Sequence, residues 1–505
     1  MSIATASDLE IAPARPWLIP LVSAAACAAL ADWLFYGWQI GISLPLFFGV
    51  LGVVAVAGNR ACAPRHIQII MAAVFCAGLL ALVEEVNELS VTIGALATAL
   101  FVIVVTARQA SSWQLDLFEA VTIPFRGPFQ LVVDLFDALQ SMKGRVPDWL
   151  KLGSLVAWIV PLAACAVFLG LFASANPLIE YRLTQIDLNV LLNLLDPRRI
   201  IFWVAIACAI WPLIVRRFQW SGWELEPAAI VASEPSDLDH LFGAQAMTRS
   251  LILFNLLFAL QTALDLTYLW GGANLPDGMS HAEYAHRGAY PLIVTALLAA
   301  GFVLIAVRRG GPAENSRWIR PLVLAWIAQN ILLVISSIFR LDLYVAAYSL
   351  TYLRLAAFIW MILVAVGLLL ILIQILLKKP NSWLLAANAV SLALVLYACC
   401  FINEPQLVAS YNVEHSRENG GAGPNLDLKY LLSLGPQVLP VLEPRLRHIQ
   451  ALQPYVAGFR FEQDMQESRK PPANWRAWGF RTWRLQRYLA NNPDTPPNPS
   501  DGGKG

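Results

Sequence analysis

Charge is what this chain has least of. Asp, Glu, Lys and Arg make up 14% of its 505 residues, where a soluble domain carries about a quarter. A soluble core this large would lack the polar surface to cover it. The two signs nearly cancel, at a net charge of +1, so no nucleic acid and no strongly charged partner is implied. Cysteine is sparse and unpatterned. Cys27, Cys76, Cys165 and Cys208 sit inside apolar runs, Cys62 stands alone in a short connection, and Cys399 and Cys400 end a run. None has zinc-like or CxxC spacing, so packing is their expected role. No GxSxG, HExxH or P-loop occurs, and no internal repeat is visible. No cofactor or metal is expected.

What is present is apolar length. Mean hydropathy is +0.59 and 58% of residues are hydrophobic. Stretches of about 20 apolar residues read as membrane spans. They fall at 17–34, 39–58, 67–83, 89–107, 152–175, 200–215, 250–272, 289–307, 318–339, 355–377 and 382–401. Pro161, Pro212 and Pro321 interrupt three of them, which helices buried among helices tolerate. The first run is followed by small residues, as at a cleavage site. Asp8 and Glu10 against Arg15 make the wrong leader for a signal peptide, so an uncleaved span is expected. The fold class is therefore all-α: a polytopic transmembrane helical bundle with about eleven spans, interfacial helices and a small C-terminal extramembrane helical segment. Residues 1–402 form the transmembrane domain, 403–490 an extracytoplasmic helical segment and 491–505 a disordered tail.

Orientation follows from Lys and Arg in the connections. With the N-terminus inside, the cytoplasmic connections hold seventeen, the outer ones six and the C-terminal tail twelve. The expected location is an inner membrane, with the N-terminus cytoplasmic and the C-terminus periplasmic. Within residues 109–151, "WQLDLFEAVTIPF" and "FQLVVDLFDALQ" read as amphipathic helices at the interface. "LTQIDLNVLLNLL" reads the same way, and Ser236 with Asp239 resembles a capping box. In the tail, "LDLKYLLSLGPQVLPVLEPRLRHIQAL" reads as short helices punctuated by Gly435, Pro436, Pro440 and Pro444. "NWRAWGFRTWRLQRYLA" puts Trp475, Trp478, Leu485 and Leu489 on one helical face.

The scarce polar residues gather at one end. Gln261, Asp265 and Tyr268 share a face of the seventh span by helical spacing. Asp265 lies roughly 10 Å below the outer end at 1.5 Å per residue, and a carboxylate there wants a partner, Arg340 or Arg354. The next connection, "SHAEYAHRGAYP", holds His281, Glu283, His286 and Arg287. Its H-x-E-x-x-H pattern is not the zinc motif H-E-x-x-H. A solvated loop, with Arg287 capping a helix or meeting a carboxylate, is expected rather than a metal site. Arg340, Tyr344, Tyr348 and Tyr352 step by four on the ninth span, flanked by Asp342 and Arg354. That stripe reads either as an aromatic belt, with Arg340 and Asp342 satisfying each other or lipid headgroups, or as part of a site. The candidate outer-face binding cluster is Asp265, His281, Glu283, His286, Arg287, Arg340, Asp342, Tyr348 and Arg354.

"LDLTYLWGGANLPDGMSHAEYAHRGAYPLI", "FRLDLYVAAYSLTYLRLAAFIWM" and, in the tail, "LDLKYLLSLGPQVLPVLEP" resemble a bacterial family of multi-pass membrane proteins described only as a domain of unknown function. The resemblance covers most of the hydrophobic region. It implies a bacterial inner-membrane location and brings no catalytic or binding residues with it. Three functions follow from the residues. A transporter or permease-like protein comes first, on the intramembrane acid and the broken helices. An envelope sensor or assembly scaffold, using residues 403–490 to hold an envelope protein, comes second. A membrane-embedded enzyme on a lipid-linked substrate comes third, without a recognisable catalytic motif. Lipid is the one partner the composition itself requires.

Overall fold

The computed structural model describes residues 17–108, 111–142, 196–216, 244–270, 318–446 and 474–492, with Cys165 besides. Among these residues every regular element is helical. Among the described residues, eight helices are long and apolar enough to cross a membrane. The chain divides into two units: Met1–Glu224 with Pro472–Gly479, and Leu225–Pro471 with Phe480–Gly505.

The first unit contains α1 (Leu18–Phe35), α2 (Ser43–Asn59), α3 (Arg65–Glu84), α4 (Glu88–Thr106), α5 (Trp113–Met142) and α6 (Pro197–Ile214). Their contact faces are built from small and branched residues such as Ala24, Ala31, Ala55, Ala97 and Val102, which let helix backbones approach closely without water to drive them together. Leu18, Val53, Ile69 and Ile201 point outward and are more than half exposed. An apolar exterior over a tightly packed interior is the arrangement a bilayer selects. Two of the helix starts are defined by local chemistry. Asn87 and Ser90 cap α4 reciprocally, side chain to backbone, at 2.9 and 3.0 Å. The Asp196 carboxylate accepts from the Arg198 N–H at 3.0 Å, with Pro197 opening α6.

The two amphipathic segments expected within 109–151 are one helix. Pro124 and Pro128 lie inside α5 without ending it. The helix crosses α6: Glu119, Gly127, Gln130 and Asp134 of α5 each meet α6 or its end within residues 208–216. At the crossing, a methyl on Gly127 would collide with the Cys208 carbonyl, so the glycine sets how closely the backbones meet. Glu119 and Asp134 face inward and are buried, while Phe118, Phe125, Phe129 and Phe136 are exposed. The polar stripe thus faces protein and the phenylalanines face out.

The second unit contains α7 (Ala244–Leu264), whose last turns widen into a π-helix over Asp265–Trp270, then α8 (Ile319–Tyr348), α9 (Tyr352–Leu377), α10 (Asn381–Cys399), α11 (Glu404–His415), α12 (Leu428–Ser433), α13 (Leu439–Leu446) and α14 (Phe480–Asn491). Helices α7 to α10 follow expected spans, and α8 runs nine residues beyond its expected end, carrying Arg340, Tyr344 and Tyr348; Tyr352, expected on the same stripe, instead opens α9 after the turn at 349–351. Val345, Leu350, Val408, Val413, Leu431, Leu442, Leu485 and Leu489 share one hydrophobic cluster, so the tail helices are cored by the same packing as the spans. The tail breaks at Gly435 and Pro436 as expected, with α12, a 3-10 turn at Pro436–Val438 and α13 in succession, whereas Pro440 and Pro444, expected to punctuate it too, lie within α13. The face shared by Trp475 and Leu485 does not form. Trp475–Ala477 is a 3-10 turn of the first unit, the backbone is extended at Trp478, and α14 starts at Phe480. The expected spans 152–175 and 289–307, "LTQIDLNVLLNLL" and Ser236–Asp239 lie outside the described residues, Cys165 excepted.

Candidate functional site

The site grows from one acid. Asp265 is the first residue of the π-helical stretch that ends α7, and i→i+5 bonding of this kind widens a helix locally and recurs at functional positions. Its side chain turns into the unit and is 1% exposed. There it forms an ion pair with Arg340 of α8, itself 3% exposed. The Gln261 amide donates to the same carboxylate oxygen at 3.0 Å, one turn away on α7. Of the two partners open to Asp265, Arg340 is therefore the one used. A charge this far from water is tolerated only when paired, and α7 and α8 are each held to the other by this pair.

One and two turns along α8 stand Tyr344 and Tyr348, their rings 4.9 Å apart. The Arg354 guanidinium lies 4.4 Å from the Tyr344 ring centre. It also donates to the carbonyls of Tyr348, at 2.6 Å, and of Ser349, closing the C-terminal end of α8. Tyr348 is 55% exposed, as an aromatic belt residue would be, whereas Tyr344 is half-buried under Arg354. Asp342 points away from Arg340 and is exposed. It faces Tyr411 of α11, whose phenol is pushed up by burial and secondly by the Asp342 charge.

The turn between α8 and α9 is completed by the tail. The Asn412 side chain accepts from the Leu350 N–H at 2.6 Å and donates to the Leu350 carbonyl at 2.9 Å. The Tyr352 N–H donates to the Tyr430 hydroxyl at 3.2 Å. Ser349 sits at φ +69°, a conformation that costs a side-chain-bearing residue free energy. On α11, His415 stacks on Tyr411 at 4.1 Å and its Nδ1 lies 2.8 Å from the Tyr411 carbonyl.

The structure thus joins Asp265 to Arg340, and Tyr348 to Arg354, and places Asp342 beside α11. His281, Glu283, His286 and Arg287 lie outside the described residues. Among the described residues no group of three His, Cys, Asp or Glu side chains is arranged to hold a metal.

Residues 69–444 match a family model described as "Domain of unknown function (DUF4153)". The chain belongs to that family. The DUF4153 match contains Asp265, Arg340, Arg354, Asn412 and Tyr430, and leaves α1, α2 and α14 outside it. Neither a curated protein nor a solved structure matches the chain.

A second, part-buried pair went unread in the sequence. In the first unit, Asp32 of α1 accepts from Arg199 of α6 through both oxygens, Nε at 2.6 Å. Trp203 adds an indole N–H at 2.9 Å, and Arg199 lies 5.0 Å from the Tyr36 ring centre. The Tyr36 hydroxyl donates to Asp196 at 3.1 Å. The signal was available: Asp32 is a single acid in "SAAACAALADWLFYGW", and Arg199 follows an aspartate cap. At the opposite end of that unit, Arg216 donates to Glu119 at 2.9 Å and to the Ile103 carbonyl at 2.5 Å. Asn59 closes the end of α6 through the carbonyls of Leu213 and Ile214. Burial holds the Glu119 carboxyl above the usual range, against the pull of Arg216 and Arg126.

Proposed function

We propose that this DUF4153 member is a transporter- or permease-like protein of a bacterial inner membrane, and that Asp265 and Arg340 are its ion-responsive element. The observation that carries this reading is a fully buried acid–base pair between two apolar helices, at the point where one of them widens into a π-helix. Intramembrane charges are costly and mark ion and substrate paths. A pair that is the main polar tie between two apolar helices can be closed or parted, which gives the spans two arrangements to alternate between. Tyr344, Tyr348 and Arg354 form the rim beside the pair. The charge distribution supports a cytoplasmic N-terminus and a periplasmic C-terminus. In keeping with that orientation, Asn412 and Tyr430 seat on the α8–α9 turn, and residues 474–479 seat on the α1–α2 connection, both of which the charge distribution assigns to the outside.

The test is untargeted metabolite and lipid profiling of cells deprived of the protein. They are complemented with wild type, Asp265→Asn or Arg340→Gln, with the membrane level of each variant measured in parallel. Wild type restores the profile. The two variants reach the membrane but fail to restore the same subset of small solutes. Full restoration by both variants at matched level would end this reading.

A further inference from the structure

The sequence presents Trp475 and Trp478 on one face of a tail helix, with Arg476 elsewhere around it. The first unit uses them otherwise. The Arg476 guanidinium lies 4.5 Å from the Trp33 ring centre, 4.9 Å from that of Trp38 and 5.4 Å from that of Trp475. It is 7% exposed, and its Nε has no hydrogen-bond partner among the described residues. Aromatic faces surround this cation, and a planar, weakly hydrated guanidinium suits that environment far better than an ammonium. Beside it the Ile42 N–H donates to the Trp478 carbonyl at 2.7 Å. Gly41 lets the two backbones meet there, because a methyl at that position would overlap Ala477 and Trp478. Trp33 and Trp475 pack at 5.9 Å, and the Asn474 side chain shapes the turn by accepting from the Arg476 N–H at 3.3 Å.

We propose that residues 474–479 are a clasp. It is an intramolecular ligand that closes over the α1–α2 connection, with Arg476 as the inserted group and Trp33, Trp38 and Gly41 as the receiving surface. Both halves lie outside residues 69–444, so the device is additional to the part of the chain the family match describes. The receiving surface adjoins Asp32 and Tyr36, the residues that hold Arg199. Closing the clasp fixes the end of α1 on which that ion pair is built. Opening it uncovers two indoles and the Ile42 N–H, a surface that takes a Trp–Arg peptide segment.

Trypsin reads the state of the clasp directly on the purified full-length protein, because Arg476 is itself a cleavage site. Wild type is expected to resist cleavage after Arg476. Gly41→Ala, which blocks the approach, and Arg476→Lys, which keeps the charge and the cleavage site but not the planar stack, should each speed that cleavage about tenfold. Exchange of the Ile42 amide should accelerate to match, as local opening predicts. Protection at the buried Arg481 of α14 reports that the rest of the tail stays folded in each variant. Equal cleavage after Arg476 in wild type and both variants, with Arg481 still protected, would overturn the proposal. So would an Ile42 amide that exchanges at the wild-type rate in both variants.

Discussion

At the scale of single residues, the cost of charge in an apolar interior decides most outcomes. Removing one member of a buried pair strands the other, at about 3–5 kcal/mol. Arg340→Met should therefore lower the stability of the solubilised protein by about that much, measured by thermal unfolding in one detergent. Replacing both, Asp265→Leu with Arg340→Met, should recover most of the loss, because a pair removed together leaves no uncompensated charge. A double variant no more stable than the single one would show that the pair is not the coupling element. Glu119 behaves differently. Its folded-state value lies above the ordinary 4.5, so the folded chain holds that proton more tightly than the unfolded one. The resulting stability is complete below 4.5 and is lost as pH rises through the raised value. Unfolding followed across that window should show stability falling with pH, and Glu119→Gln should flatten the slope. The sequence exposed Asp265 and Arg340 because each breaks an apolar run at helical spacing. It hid their pairing, since Arg354 and Asp342 offered equivalent partners until the direction of each side chain was fixed.

At the scale of elements, helix existence was legible and helix limits were not. Apolar length located the described spans, yet α8 extends to Tyr348 because Arg354, from the next helix, takes the carbonyls at its end. That donor is invisible to periodicity. Two amphipathic segments were expected where α5 runs as one helix through Pro124 and Pro128, packed along α6, and tertiary contact overrides local preference. The turn at 349–351 gives two further expectations. Asn412→Ala leaves the buried N–H and carbonyl of Leu350 without their partner, at about 1–3 kcal/mol for each group. The loss should appear as faster exchange at Leu350 and a lower unfolding temperature. Ser349→Gly should act in the opposite sense, gaining about 1 kcal/mol by relieving the backbone at φ +69°. A glycine variant no more stable than wild type would mean that the conformation carries no strain.

At the scale of the whole molecule, composition alone made the protein a multi-pass membrane helical bundle, and the apolar exteriors of both units agree. Which tail residues would meet which spans was not legible, because contacts such as that of Ile42 with Trp478 join positions at opposite ends of the chain and leave no periodic trace. The orientation predicted from charge has a native reporter. Cys62, exposed in the α2–α3 connection, should react with a membrane-impermeant maleimide only after the membrane is opened, in a variant whose other cysteines are serine. A cysteine placed at Gly420, beyond α11, should react in sealed cells. Reversal of that pattern would invert the assignment of both faces. The Asn412 bridge also carries a temporal consequence. It spans 62 residues of chain, and the Tyr430 contact spans 78, so a ribosome delivers α8 and α9 well before the side chains that finish their turn. Until those side chains emerge, the nascent hairpin carries an open backbone, and maturation of this region waits on residues made after it.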